Sequence, residues 1–152
     1  DTATNDDFVK DFLDNIDCDV VIQLLPTSPF ITVQEIQKFT DEMRKGILDT
    51  LVSVKNDQIE CVYKGQPINF DKKKQTPPSQ DIEPVKAYAC VLMGWRKNFY
   101  LYNMENYGCA YHGVNGKTDY FTLKGFSEID IDTEEDFSMA EAVWSYLDEK
   151  KS

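Results

Sequence analysis

The chain has 152 residues, the size of a single domain built around one core. With 41% hydrophobic and 12% aromatic residues, it carries too much apolar material for a disordered chain. Sixteen basic and 27 acidic residues give a net charge of −11, which argues against a surface that tracks a nucleic-acid backbone but leaves room for a single nucleotide, because a divalent cation bridges carboxylates to phosphates.

The longest apolar run, Ala87 to Met93, is seven residues, well short of the roughly 20 that span a bilayer. The opening Asp1-Thr-Ala-Thr-Asn-Asp-Asp7 lacks the basic and apolar regions of a secretory leader. Cys18, Cys61, Cys90 and Cys109 lie far apart, with no C-x-x-C and only one histidine, His112. That spacing supports neither a zinc site nor a disulfide framework, so the expectation is four reduced thiols in a cytoplasmic protein without a membrane or nucleic-acid partner.

The first predicted element is a helix, with Phe8, Val9, Phe12, Leu13 and Ile16 at helical spacing and Thr4 and Asp7 as its capping box. Asp19 to Leu25 reads as a buried strand, stopped by Pro26-Thr-Ser-Pro29. A second helix starts from Thr32 and Glu35, turns Val33, Ile36, Phe39 and Met43 inward, and closes at Lys45-Gly46. Thr50 to Val54 is the next strand, so strand, helix and strand predict a βαβ unit with a parallel pair.

In the middle third, Gln58 to Tyr63 is expected to pair with Ile68 to Phe70 across a turn at Lys64-Gly65, with Pro67 keeping the second strand short. Asp71 to Ser79, with its triple lysine, has the composition of an exposed loop, the other reading being an ordered flap that meets an anionic ligand. Val85 to Met93 and Asn98 to Tyr102 are further strand candidates. The aromatics Tyr88, Trp95, Phe99, Tyr100, Tyr102 and Tyr107 fit core or a subunit interface better than a ligand platform. Ile129 to Asp132 alternates as a strand. Thr133 and Asp136 then cap a last helix whose inner stripe is Phe137, Ala140, Trp144 and Leu147.

Asp130 and Asp132, two apart on that last strand, place both carboxylates on one face, with Ile129 and Ile131 turned to the core. Such a pair beside a helix N-terminus suits Mg²⁺, with substrate phosphates completing the shell. A solvent-exposed edge or an N-cap is the alternative. Asp136 belongs to the helix cap.

Gln23-Leu-Leu-Pro-Thr-Ser-Pro29, Ser79-Gln-Asp-Ile-Glu-Pro-Val85 and Ile129-Asp-Ile-Asp-Thr-Glu-Glu-Asp-Phe137 resemble, in order and spacing, three motifs of the acylneuraminate cytidylyltransferase family, which includes the CMP-sialic acid synthetases. The resemblance implies a Rossmann-like, three-layer α/β nucleotidyltransferase fold. It implies one domain over residues 1–152, with a dimerisation arm within about 57–118, and a homodimer. The reaction implied is transfer of CMP from CTP to a sialic-acid-like sugar acid, with pyrophosphate released. The roles implied are Mg²⁺ binding and catalysis for Asp130 and Asp132, and substrate binding for Gln23, Thr27, Ser28 and Gln80.

The chain departs from the family in several places. The glycine-, serine- and lysine-rich CTP loop near the family's N-terminus has no counterpart, so the chain reads as the C-terminal two-thirds of such an enzyme. Leu25 stands where a sugar-binding Gln is usual, and Gln23 lies two positions back on the same strand face. Ser79 stands where an Arg commonly meets the sugar carboxylate, which makes Lys72, Lys73, Lys74 and Lys86 candidates to replace it. Ala89-Cys90-Val91 replaces an Asn-Gly-Ala strand. Two other readings stand beside the enzyme: a non-catalytic, nucleotidyltransferase-derived module that dimerises or binds a sugar, and another nucleotidyltransferase or a glycosyltransferase whose D-x-D binds metal.

Overall fold

The computed structural model describes residues 3–150. Its main sheet has four strands in the order β1-β5-β2-β6: β1 (Val20–Leu24), β5 (Val85–Arg96), β2 (Thr50–Asp57) and β6 (Thr118–Thr122). A two-stranded ribbon of β3 (Val62–Tyr63) and β4 (Gln66–Pro67) lies between β2 and β5 in sequence. Helices α1 (Asn5–Asn15) and α3 (Lys97–Tyr107) cover one face, where Val9, Leu13 and Tyr100 meet Val52, Met93 and Trp95. On the other face α2 (Val33–Arg44) packs Phe39 and Met43 against Leu51, Val91 and Leu92. This is the expected three-layer α/β arrangement.

The sheet order corrects the expected βαβ pair. β1 and β2 do run in the same direction, but β5 lies between them and is antiparallel to both. The cause is burial: Val91 to Trp95 is buried throughout, so the most apolar run takes the centre of the sheet. A second correction is Asn98 to Tyr102, which lies within α3. Aromatic composition suggested a strand, yet Tyr100 and Asn103, three apart, form the buried side of a helix that Gly108 ends in the left-handed conformation. Third, Ile129 to Asp132 is extended but belongs to no sheet. Ile129 N–H donates back to the Phe126 carbonyl at 3.1 Å, and Ile131 N–H donates across to the Thr27 carbonyl at 2.9 Å.

All three capping boxes form: Thr4 with Asp7, Thr32 with Glu35, and Thr133 with Asp136 at the start of α4 (Glu134–Glu149). The Lys64-Gly65 turn also forms, with φ of +48° and +77°, the signature that matches strand twist in a two-residue hairpin. The strands it joins are shorter than expected, because Pro67 has no N–H and sits in β4 itself. Around them Asn69 ties the segment together, accepting from Cys61 N–H at 2.8 Å and donating to the carbonyls of Ile59 and Glu83 at 2.8 Å each.

The aromatic group divides. Trp95 and Tyr100 are core, each 1% exposed, whereas Tyr102 and Tyr107 are about half exposed. The α4 stripe is likewise not an inner one among the described residues. Ala140 is buried, but Phe137 is 47% and Trp144 61% exposed. All four cysteines are free thiols, and no helix of the described residues is long and apolar enough to cross a membrane.

Candidate active site

β1, β2 and β6 run in one direction, and their carboxyl ends lie together with the middle of β5. In open α/β sheets this end is where ligands bind, because the loops leaving the strands diverge there. β5 is irregular at this place. Its pairing with β2 passes from Val52↔Met93 to Val54↔Tyr88, so Ser53 alone faces the bulged residues Ala89 to Leu92. Two bonds pin the bulge: Leu92 N–H donates to Ser53 Oγ at 2.8 Å, and Leu25 N–H donates to the Val91 carbonyl at 3.1 Å. Inside it Cys90 takes φ +53°, a left-handed conformation that costs a residue with a side chain roughly 1–2 kcal/mol.

The structure brings two of the sequence motifs together here. Pro26 stops β1 and turns the chain, so that the buried Ser28 hydroxyl donates to Asp130 Oδ1 at 3.4 Å. The Thr27 carbonyl holds the same extended segment through Ile131 N–H. On the far side of that segment, buried Ser127 donates to Glu35 Oε2 at 2.7 Å, tying the run before Asp130 to the start of α2. Burial pushes the Glu35 pKa up, but its hydrogen bonds to Thr32 and Ser127 outweigh this and hold it below the ordinary value. Asp130 is half-buried and Asp132 is exposed.

Both carboxylates act on one neighbour. The Cys90 thiol is pushed up first by burial and then by Asp130 and Asp132, so it stays neutral at physiological pH. A neutral thiol is a poor metal ligand. The donors that remain are hard oxygens: two carboxylates and the Ser28 hydroxyl. Among the described residues no set of three or more His, Cys, Asp or Glu side chains gathers as a metal cage. A pair of carboxylates fits Mg²⁺, which keeps several waters and takes ligands from substrate phosphates.

The other candidate residues are placed differently. Gln23 pairs with Met93 in the sheet, on the face covered by α1, beside Phe8, Val9 and Phe12. Its Oε1 is buried without a hydrogen-bond partner among the described residues. Gln80 lies in a short 3₁₀ turn, Ser79–Asp81, and is exposed. Only its carbonyl is engaged, accepting from Gln58 Nε2 at 2.8 Å, and no hydrogen bond joins it to the Ser28–Asp130 pair among the described residues. Sequence reasoning passed over Cys90 as a member of the site. The signal was present, since the residue stands at a glycine position of the resembled motif and the backbone there is left-handed.

No protein-family model matches the sequence, and no curated protein matches it significantly. Solved structures do. The 4-diphosphocytidyl-2C-methyl-D-erythritol synthase from Anaerococcus prevotii DSM 20548 matches at a TM-score of 0.64 and 15% identity, over 95% of this chain and 68% of that one. A CMP:2-keto-3-deoxy-manno-octonic acid synthetase complexed with CTP matches at 0.63 and 13% identity, over 97% and 70%. The bifunctional IspDF from Campylobacter jejuni matches at 0.62 and 10% identity, over 89% of this chain and 34% of that one. The chain therefore shares the α/β fold of these proteins and spans about two-thirds of the length of the first two.

Proposed function

We propose that this chain carries the metal and acceptor side of a cytidylyltransferase that moves CMP from CTP to a sugar acid and releases pyrophosphate. The observation that carries the reading is the Ser28–Asp130 contact at the carboxyl end of the parallel strands, with Asp132 two residues on. The fold shared with a 4-diphosphocytidyl-2C-methyl-D-erythritol synthase and with a CMP:2-keto-3-deoxy-manno-octonic acid synthetase complexed with CTP supports it.

In this reading Asp130 and Asp132 hold Mg²⁺, which when bound neutralises phosphate charge and aligns the phosphorus. The acceptor hydroxyl gives its proton to solvent as its oxygen bonds to the α-phosphorus, the bond from that phosphorus to the bridging oxygen breaks, and pyrophosphate leaves. Ser28 fixes one oxygen of Asp130 by donating to it. Glu35, through Ser127, holds the segment that carries both carboxylates. Gln23 offers its unpartnered Oε1 to a hydroxyl of the acceptor.

Residues within 57–118 supply a dimerisation arm. Ile59, Val62, Tyr63 and Ile68 leave more than half of their surface exposed on the segment between β2 and β5, as a self-association surface does.

Ligand protection tests the nucleotide. CTP with Mg²⁺ should raise the unfolding midpoint, while CTP with chelator and UDP-sugars with Mg²⁺ should not. Protection by UDP-sugars but not CTP would favour the glycosyltransferase reading.

A further inference from the structure

The main sheet ends in two unlike edges, β1 and β6. At the two ends of β1, Lys97 N–H donates to the Asp19 carbonyl at 3.0 Å and Leu25 N–H donates to the Val91 carbonyl at 3.1 Å. Val21 and Gln23, in step with Asp19 and Leu25, therefore turn their backbone groups toward β5. Antiparallel pairing alternates, so Val20, Ile22 and Leu24 point their N–H and C=O groups outward. No hydrogen bond reaches those outward groups among the described residues.

Open edges of this kind are usually blunted by charge, proline or a bulge, because they pair with other chains. β6 is blunted: Asp119 is exposed on it, and its carboxylate accepts from Tyr120 N–H at 2.8 Å. β1 reads Val-Val-Ile-Gln-Leu and has no such protection. Apolar surface continues beside it. Phe8 and Phe12 of α1, one turn apart, are 63% and 43% exposed and form a groove with Ile22 and the half-exposed Leu24. The surroundings of that groove are acidic. Asp7 and Asp11 flank the two phenylalanines on the helix, Asp17 and Asp19 precede the strand, and all four are exposed.

We propose that the outer edge of β1 is a strand-acceptor site, completed by a β-strand from outside residues 1–152 that carries apolar side chains at alternate positions and Lys or Arg at its ends. The main-chain groups of Val20, Ile22 and Leu24 bond to it, and the groove under Phe8 and Phe12 takes the side chains on one of its faces. Charge selects this occupant over a second copy, which would set the same acids against one another on chains that each carry −11. Length agrees: this chain spans 68% and 70% of the first two matched structures, so their shared fold holds polypeptide that this stretch does not supply. Nothing in the site depends on the transfer reaction.

The test is residue-resolved amide hydrogen exchange by NMR, with a synthetic peptide that alternates Val and Thr between paired lysines. The controls are the same peptide with a central proline and the same peptide with glutamates replacing the lysines. The Val20, Ile22 and Leu24 amides should exchange freely without peptide and slow by about tenfold or more with it, while Val21 and Gln23 stay protected throughout. The proline peptide should cause no slowing, and the glutamate peptide less than the lysine one. Leu24→Lys puts a charge on the edge and should reduce the slowing at Val20 and Ile22. Phe8→Ala, on the exposed side of α1, should reduce it too, and unfolding midpoints matching wild type confirm that the variants are folded. No slowing by the lysine peptide, or equal slowing by all three peptides, would overturn the site. Slowing that grows with protein concentration in the absence of peptide would also overturn it, by making a second copy the occupant.

Discussion

Ser28 and Asp130, 102 positions apart in the chain, meet through a hydroxyl-to-carboxylate contact of 3.4 Å. The contact depends on two chain breaks: Pro26 ends β1 at the sheet's carboxyl end, and the cap at Thr133 stops the extended Ile129–Asp132 segment before α4. Between these breaks, the Thr27 carbonyl and Ile131 N–H hold the two motifs side by side.

Asp130→Asn and Asp132→Asn should each reduce pyrophosphate release by at least about a hundredfold, the scale of losing one charge-stabilising group. Stability should change little, because neither carboxylate is part of the core. Circular dichroism melts report the fold and a coupled pyrophosphate assay the turnover. Full activity of Asp132→Asn with Mg²⁺ would remove Asp132 from the metal site.

The left-handed backbone at Cys90 predicts an order of variants. Cys90→Gly removes roughly 1–2 kcal/mol of strain and gives back roughly 0.5–1 kcal/mol through the freer unfolded chain. Its stability in urea should therefore equal or exceed wild type. Cys90→Val, branched at Cβ, should lose about 2 kcal/mol or more. Equal tolerance of glycine and valine would contradict the left-handed conformation at this position.

Gln23 predicts opposite effects on stability and function. Its buried Oε1 has no partner among the described residues, and an unmet buried acceptor costs roughly 1–3 kcal/mol. Gln23→Leu should stabilise the fold by about 1 kcal/mol in denaturant titrations. It should also raise KM for the sugar acid far more than KM for CTP. Equal KM effects would place Gln23 outside the acceptor pocket.

The capping acids predict an acid limit to stability. Hydrogen bonds to Thr4 hold Asp7 below its ordinary 3.8, and bonds to Thr133 do the same for Asp136. At Glu35 burial acts in the opposite direction, yet Thr32 and Ser127 bring it below its ordinary 4.5. A lowered folded pKa stabilises above the unfolded value and is lost as pH falls through the folded one. Stability should thus hold above about pH 4.5 and decline below about pH 3.8. Glu35→Gln should make the onset of that decline less steep.

What could be read from the sequence was mostly local. Thr4, Thr32 and Thr133 cap their helices because a capping box needs only three residues of spacing. Lys64-Gly65 turns because both positions accept positive φ in this hairpin. The place of β5 between β1 and β2 was not legible, since strand order is decided by which run is most buried. α3 was misread because its aromatics favour strands while its burial follows helical spacing. The Ser28–Asp130 contact was not legible, since the resemblance gave the two residues separate roles and neither segment alone places them together.

The most direct test of the metal-centred transfer is pyrophosphate release from CTP with Mg²⁺ and a panel of sugar acids. The expected result is release that requires CTP, Mg²⁺ and a sugar acid together and that disappears in Asp132→Asn. Sugar-acid binding without any CTP-dependent pyrophosphate would contradict it and make the chain a non-catalytic sugar-binding module.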